Sequence, residues 1–312
     1  MGGAIKSVID IGSNSVKLRV ARLRKGQIEV LLDTTEVVRL GRRTADGRLR
    51  DEAFQNGLRV VEEMVRRSQD KGAEPLLVGT MALRMAKNAS DFSNEILART
   101  GIELTVLSGE EEARLAWKGA LYGLDRDGAF VVFDTGGGST EFVFGARAGI
   151  RRSTSIEVGA VSLMERYFSS DPVAWEDVAQ AQRHIRDLFA QNAVERLEPQ
   201  TAPSVIGLGG GVVAMASVKL GLAAFVPLKL NGMKLTREDV EGQMERYAAL
   251  SLDERRRIRG LPPSRADLIL GSACIVLCAM EALAADSLTV SINGLRQGLL
   301  VEAFEADGYT LR

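Results

Sequence analysis

Cysteine, histidine and tryptophan are scarce in this chain, at two, one and two copies in 312 residues. Cys274 and Cys278 stand four apart in an apolar stretch, a helical spacing that does not reach disulfide geometry. A disulfide framework is therefore excluded, and both read as buried thiols of a reducing compartment. His184 is alone, between Arg183 and Arg186, which removes histidine-based triads and His-rich zinc sites. Neither sign of charge is in excess: 40 basic against 41 acidic residues leave a net charge of −1. No global attraction to nucleic acid follows, and any hold on a phosphate polymer must be local. The most apolar run, Leu268 to Leu283, is broken by Glu281 and is short for a bilayer span, so a buried helix is expected there. The opening Met-Gly-Gly-Ala-Ile-Lys-Ser lacks the apolar core of a signal peptide. A cytoplasmic protein with no membrane and no nucleic-acid partner is the expectation.

What the chain has in abundance is glycine, at 32 residues, and much of it lies in two related segments. Val8-Ile9-Asp10-Ile11-Gly12-Ser13-Asn14-Ser15-Val16-Lys17-Leu18 is echoed by Val132-Phe133-Asp134-Thr135-Gly136-Gly137-Gly138-Ser139-Thr140-Glu141-Phe142, an offset of 124 (134 minus 10). Each runs from an apolar strand through Asp-x-Gly into small hydroxylated residues and back into an alternating strand. Small residues let backbone N–H groups turn toward an anion, and hydroxyls add donors. One such turn is ordinary loop chemistry; two at equivalent places predict paired half-sites facing each other across a cleft.

The pattern around the turns repeats as well. Strands are expected at Ser7 to Ile11, Ser15 to Leu23 and Ile28 to Leu40, then a helix from Asp51 to Lys71, a strand from Pro75 to Val78, and the Gly79–Arg84 turn into another helix. A helix at 91–99, a strand from Glu103 to Leu107 and a helix from Ser108 complete that set. The second set has strands at Ala129 to Asp134, Thr140 to Gly145 and Gly149 to Ile156, helices at Val161 to Tyr167 and Trp175 to Glu195, and a strand entering Gly207–Gly211 and helix 212–220. An Arg-rich, helical insertion at 227–262, helix 265–285, strand 287–292 and a last helix follow. Three strands, helix, strand, helix, strand, helix, given twice, predict a duplicated α/β fold with mixed sheets. The domains are expected at 1–125 and 126–312, meeting near Gly123 to Asp127.

Asp10 and Asp134 each end a strand before a glycine turn, where open α/β sheets bind ligands. A carboxylate beside phosphate suits a divalent cation, usually Mg²⁺ held partly through water; Asp134 is the preferred ligand, with Asp10 and Glu141 completing the shell. Glu141 at a strand start also fits an ordinary exposed acid. In Ser108-Gly109-Glu110-Glu111-Glu112-Ala113-Arg114, Ser108 and Glu111 make a capping box. Glu112 lies about 100° further round the helix, a face from which a carboxylate could reach the cleft to orient and deprotonate a water. Arg84 would clamp phosphate oxygens through its planar fork, or form a surface salt bridge. The runs Arg39, Arg42, Arg43, Arg48, Arg50 and Arg255, Arg256, Arg257, Arg259 read first as solvated faces and second as a polyanion track.

These segments together resemble the exopolyphosphatase and guanosine pentaphosphate phosphohydrolase family of the actin-like ATPase superfamily. The carriers are Asp10–Ser15, Thr80–Arg84, Gly109–Arg114, Asp134–Glu141, Gly207–Gly211, Arg265–Gly271 and Asn293–Gly298. The resemblance implies two actin-like (ribonuclease H-like) domains, a catalytic-base role for Glu112, an essential acid at Glu141 near the metal, and Arg84 on phosphate. Ser13, Asn14 and Ser15 would hold terminal phosphates, with Gly136, Gly137, Gly138, Ser139, Thr140, Gly209 and Gly210 as further substrate contacts. It implies a Mg²⁺-dependent hydrolase of inorganic polyphosphate or guanosine pentaphosphate, and a homodimer. An actin-fold kinase and a non-catalytic sensor of these compounds are the other classes. Thr135 and Met81 depart from the family's usual residues without touching an inferred ligand. Arg42-Arg43 stands where relatives are more acidic or neutral. Longer relatives add a C-terminal helical extension, so a preference for shorter polyphosphate is expected.

Overall fold

The computed structural model describes residues 3–123, 128–146, 148–194 and 204–311. Its elements in order are β1 (Ile5–Ile11), β2 (Ser15–Arg24), β3 (Gln27–Val37), α1 (Asp51–Gln69), β4 (Pro75–Gly79), α2 (Met81–Arg84), α3 (Ala89–Thr100), β5 (Leu104–Val106) and α4 (Gly109–Leu121). Then come β6 (Ala129–Thr135), β7 (Thr140–Ala146), β8 (Gly149–Ile156), α5 (Ala160–Tyr167), α6 (Trp175–Gln191), β9 (Ser204–Leu208) and α7 (Gly210–Lys219). The chain closes with α8 (Pro227–Leu230), β10 (Lys234–Thr236), α9 (Arg237–Ala249), α10 (Leu252–Arg255), α11 (Ile269–Ala282), β11 (Ser287–Val290) and α12 (Leu295–Ala306).

The chain divides into two compact units, Met1–Gly123 with Leu295–Arg312, and Leu124–Gly294. The sheet of the first unit has the order β3-β2-β1-β4-β5. Its β1, β2 and β3 run antiparallel, while β1, β4 and β5 run parallel. Period-two alternation sorts side chains between two layers. Ile9, Ile11, Val16, Leu18 and Val20 pack with Leu58, Val61, Phe92 and Ile96 of α1 and α3. Val8, Ala21, Leu23 and Val78 pack with Leu115 of α4 and with Leu295, Leu299, Leu300 and Phe304 of α12.

The second unit's sheet, β10-β11-β9-β6-β7-β8, repeats that arrangement with one strand added at its edge. The repetition extends to irregularities. Register shifts between Val20 and Ala21 where β2 pairs β3, and between Phe144 and Gly145 where β7 pairs β8. Those places are again 124 apart (144 minus 20). Two like mixed sheets, each flanked by helices, are the duplicated α/β fold expected from the sequence. The apolar run becomes α11, buried continuously from Ile269 to Met280. Among the described residues no helix is long and apolar enough to cross a membrane.

Several expected bounds shift for local reasons. The third strand ends at Val37 rather than Leu40 because the N–H groups of Val38 and Arg39 both donate to the Asn14 carbonyl, at 3.0 and 2.9 Å. The insertion is helical as expected except for β10, whose Leu235 is buried and which pairs antiparallel with β11. The helix expected at 265–285 starts at Ile269, after a short 3-10 turn at Pro263–Arg265. α12 lies in the first unit, whereas the sequence reading carried the second half to residue 312. The cause is visible at Gly298, whose missing side chain lets α12 abut the Leu115 backbone, and in ion pairs from Arg114 and Lys118 to Glu302. The expected 125/126 boundary and the helix end at Glu195 lie outside the described residues.

Candidate active site

In the first unit, the parallel register fixes which loops meet. β1 pairs β4 with Ile11 opposite Gly79, and β4 pairs β5 with Gly79 opposite Val106. The turn after Asp10, the Thr80–Arg84 segment and the start of α4 therefore emerge together at the carboxyl ends of parallel strands, where open α/β sheets bind ligands. Gly12 N–H donates to the Ser15 carbonyl at 3.0 Å and closes the turn. The carbonyls of Ser13 and Asn14 are taken by N–H groups of Gly41, Val38 and Arg39. With the negative ends of its peptides satisfied from outside, the turn is suited to present donors to an anion. Ser13, Asn14 and Ser15 are all buried, and Asn14 Oδ1 is a buried polar atom without a hydrogen-bond partner. Such atoms are rare and call for an explanation.

Glu112 and Arg84 come together here. Arg84 Nη1 donates to Glu112 Oε2 at 2.8 Å and to the Leu107 carbonyl at 2.9 Å. Both side chains are mostly buried, at 18% and 14% exposure. One position earlier, Glu111 is consumed by the helix cap: its carboxylate accepts from Ser108 N–H at 2.8 Å, and Ser108 Oγ accepts from Glu111 N–H at 3.1 Å. These bonds hold the Glu111 carboxyl below its usual value. Asp10, expected as a metal ligand, has a cationic partner. Lys17, its cross-strand neighbour, places Nζ 3.3 Å from Asp10 Oδ2.

The second unit repeats the turn with altered chemistry. Gly136 N–H donates to the Ser139 carbonyl at 2.9 Å, the same closure as in the first. The carbonyls of Gly136 and Gly137 are taken by Ala160 and Val161 N–H groups at the start of α5. Thr140 is fully buried and its hydroxyl donates to the Val158 carbonyl at 2.7 Å, so it braces the turn. The position equivalent to Lys17 is Glu141, directly across from Asp134. Ser155 Oγ donates to Glu141 Oε1 at 2.8 Å. A cation built into the first half-site is thus replaced by a second carboxylate.

Gly209 and Gly210, expected as substrate contacts, stand where a side chain would not fit. Gly209 adopts φ +99° and touches the Thr135 backbone. A side chain at Gly210 would overlap the guanidinium of Arg265. Arg265 is a residue to which sequence reasoning assigned no role, and its only signal was its place in a family-like stretch. Lys17 was missed because its meaning lies in the strand pairing.

Among the described residues no three His, Cys, Asp or Glu side chains cluster as a ready-made metal cage. Mg²⁺ does not ask for one: it binds through one or two carboxylates, waters and substrate phosphates. Asp134 and Glu141 fit that need. Space beside Asp134 is kept open by glycine, since a Cβ at Gly294 would stand 3.3 Å from Oδ2 and one at Gly209 3.1 Å from Oδ1.

The model of the Ppx/GppA phosphatase family matches residues 19–306. Among curated proteins, the chain is 30% identical over 309 residues to Exopolyphosphatase 2 of Mycobacterium tuberculosis, covering 94% of this chain and 96% of that one. It is 29% identical over 302 residues to the Guanosine-5'-triphosphate,3'-diphosphate pyrophosphatase of Photobacterium profundum, covering 95% of this chain and 58% of that protein. The crystal structure of the Aquifex aeolicus member of the family superimposes with a TM-score of 0.82 at 29% identity, over 97% of this chain and 98% of that one. The chain spans about half the length of its longer curated relatives, 47% and 58%.

Proposed function

The chain belongs to the Ppx/GppA phosphatase family, and from that premise we propose that it is a Mg²⁺-dependent phosphoanhydride hydrolase releasing terminal orthophosphate from inorganic polyphosphate. The observation that carries the reading is the Arg84–Glu112 pair, held at 2.8 Å where the anion-binding turn of the same unit emerges. A carboxylate fixed there can accept a proton from water and aim it at phosphorus. Arginine has five N–H donors in a planar fork; two on Nη1 hold Leu107 and Glu112 and one on Nη2 reaches Met81 Sδ at 3.9 Å, which leaves the rest of the fork for phosphate oxygens. The amides and hydroxyls of Ser13, Asn14 and Ser15 bind phosphate in one unit, and those of Gly136, Gly137, Gly138 and Ser139 do so in the other. A donor carried by hydrated substrate satisfies Asn14 Oδ1.

When bound, Mg²⁺ neutralises charge on the phosphoryl oxygens; Asp134 and Glu141 would hold it. Lys17 neutralises Asp10 and keeps the first turn from repelling phosphate, which moves Asp10 from metal ligand to turn support.

Polyphosphate is the preferred substrate because the relative named an exopolyphosphatase matches nearly end to end, at 94% and 96% coverage. Guanosine pentaphosphate is the second reading, favoured by the Photobacterium relative, which matches 95% of this chain. The test is phosphate release from tripolyphosphate, long-chain polyphosphate, guanosine pentaphosphate and ATP, with Mg²⁺ and with excess chelator. Polyphosphate should be the best substrate and the chelator should stop release. Faster release from guanosine pentaphosphate would move the assignment to the second reading, and no release from any of the four would end the hydrolase reading.

A further inference from the structure

The stretch Arg39 to Arg50 holds five arginines and one acid, Asp46, and the proposed chemistry at the turn leaves them unused. The structure makes this stretch a built element. Arg43 and Leu49 form an antiparallel bridge. Thr44 N–H donates to the Arg48 carbonyl and Gly47 N–H to the Thr44 carbonyl, both at 2.9 Å, and Gly47 takes φ +83° at the tip. This small hairpin is anchored at both ends. At one end Gly41 N–H donates to the Ser13 carbonyl at 2.7 Å, in the phosphate turn itself. At the other, Leu49 is buried, its N–H donates to Asn88 Oδ1 at 2.8 Å, and Lys87 N–H donates to the Gly47 carbonyl at 3.1 Å.

The charges facing this element are mainly positive. Arg48 and Arg50 are exposed, Arg42 and Arg43 half-buried, and Lys87 lies against Gly47. Of the nearby acids, Asp46 accepts from Thr44 Oγ1, Asp91 stands 3.5 Å from Arg48, and Asp51 begins α1. Arg43 is two residues from the Gly41–Ser13 contact, so its Cα lies within about 8 Å of the Gly41 Cα. A linear polyanion entering the turn by its end carries one charge per phosphate away from it. The arginines follow the turn along one hairpin, where Arg50 Nε donates to the Arg43 carbonyl at 3.3 Å, and this anchored backbone needs little ordering on binding.

We propose that the Arg39–Arg50 hairpin binds the internal phosphates of a polyphosphate chain whose terminal phosphate sits in the Ser13–Ser15 turn, and so favours long chains over short ones, the reverse of the preference expected from the sequence. This rests on the hydrolase reading given above and names its substrate more closely.

The test compares wild type with Arg43→Gln/Arg48→Gln/Arg50→Gln, and with a control triple, Arg24→Gln/Arg59→Gln/Arg151→Gln, that removes equal charge from exposed positions elsewhere. Thermal unfolding verifies that each variant is folded. The ratio of kcat/KM for long-chain polyphosphate to that for tripolyphosphate should fall about tenfold or more in the hairpin variant, through KM, and its salt dependence on long chains should flatten. The control should keep the wild-type ratio. An unchanged ratio in the hairpin variant, or an equal fall in the control, overturns the proposal. So does single-stranded RNA displacing labelled long-chain polyphosphate from wild type as well as unlabelled polyphosphate does, since that marks a general polyanion surface. If wild type releases no phosphate, the hydrolase reading fails by itself. Direct binding of labelled long and short polyphosphate to the three proteins then decides the hairpin's role.

Discussion

Glu110, Glu111 and Glu112 are identical side chains in consecutive positions, and one turn of helix gives them different work. Glu111 closes the cap with Ser108, Glu110 is exposed, and Glu112 turns inward to Arg84. The cap was legible in the sequence because both partners lie within one helical turn. The Arg84 contact was not, since it joins residues 28 apart through the register of β4 and β5. Lys17 and Glu141 make the same point with opposite charges: they occupy equivalent places, and only the strand pairing shows which carboxylate each one faces. Glu112→Gln retains an acceptor for Arg84 and loses the base. We expect turnover to drop about 10²-fold or more with KM for polyphosphate little changed. Steady-state phosphate release checks this, and near-normal kcat would remove Glu112 from the base role.

Helices and strands were read well where periodicity was strong, as in α1, α11 and β2, and less well where tertiary contacts set the ends. β3 stops early because a turn twenty-odd residues before it captures its N–H groups, and β10 exists because β11 offers an edge. The Gly209–Gly211 stretch reads as a ligand loop, and glycine is also required there by packing, since added Cβ atoms would meet Thr135, Arg265 and Ser272. Gly298 is the clearest case of an element fixed by what is missing. Gly298→Ala should destabilise by about 1–3 kcal/mol, because its methyl would overlap the Leu115 carbonyl and the overpacking outweighs alanine's better helix propensity. Gly242→Ala, in α9 with nothing within 4 Å of the added carbon, should stabilise by about 0.5–1 kcal/mol. Denaturant midpoints of the two variants should shift in opposite directions; equal shifts would mean that α12 is not held by that close approach.

At the scale of the whole chain, an offset of 124 residues, found first in two turns, reappears in strand pairing and in the position of a register shift. The return of the last helix to the first unit was illegible, since no composition change marks it. Arg296 and Arg19 both meet Asp33, with Arg296 Nη1 at 2.5 Å and Arg19 Nη2 at 2.6 Å, tying α12 to the opening hairpin. Burial would push the Asp33 carboxyl up, but the combined charges and hydrogen bonds of Arg296 and Arg19 outweigh it and hold it below 3.8. A depressed native value means a contribution that is complete above pH 3.8 and is lost as pH falls through the lower native value. Asp33→Asn should therefore be less stable than wild type at pH 7 and should lose stability less steeply below about pH 4. Urea midpoints measured from pH 7 down to about pH 2 check this, and parallel curves would count against it.

The discontinuous first unit also has a consequence for how the protein is born. Its sheet is translated early, but one covering layer, Leu295 to Phe304, is made only after the whole of the second unit. Until then Val8, Ala21, Leu23 and Val78 have no α12 to cover them. The second unit, continuous from Leu124 to Gly294, is complete sooner, so the unit whose synthesis starts first has its covering helix second.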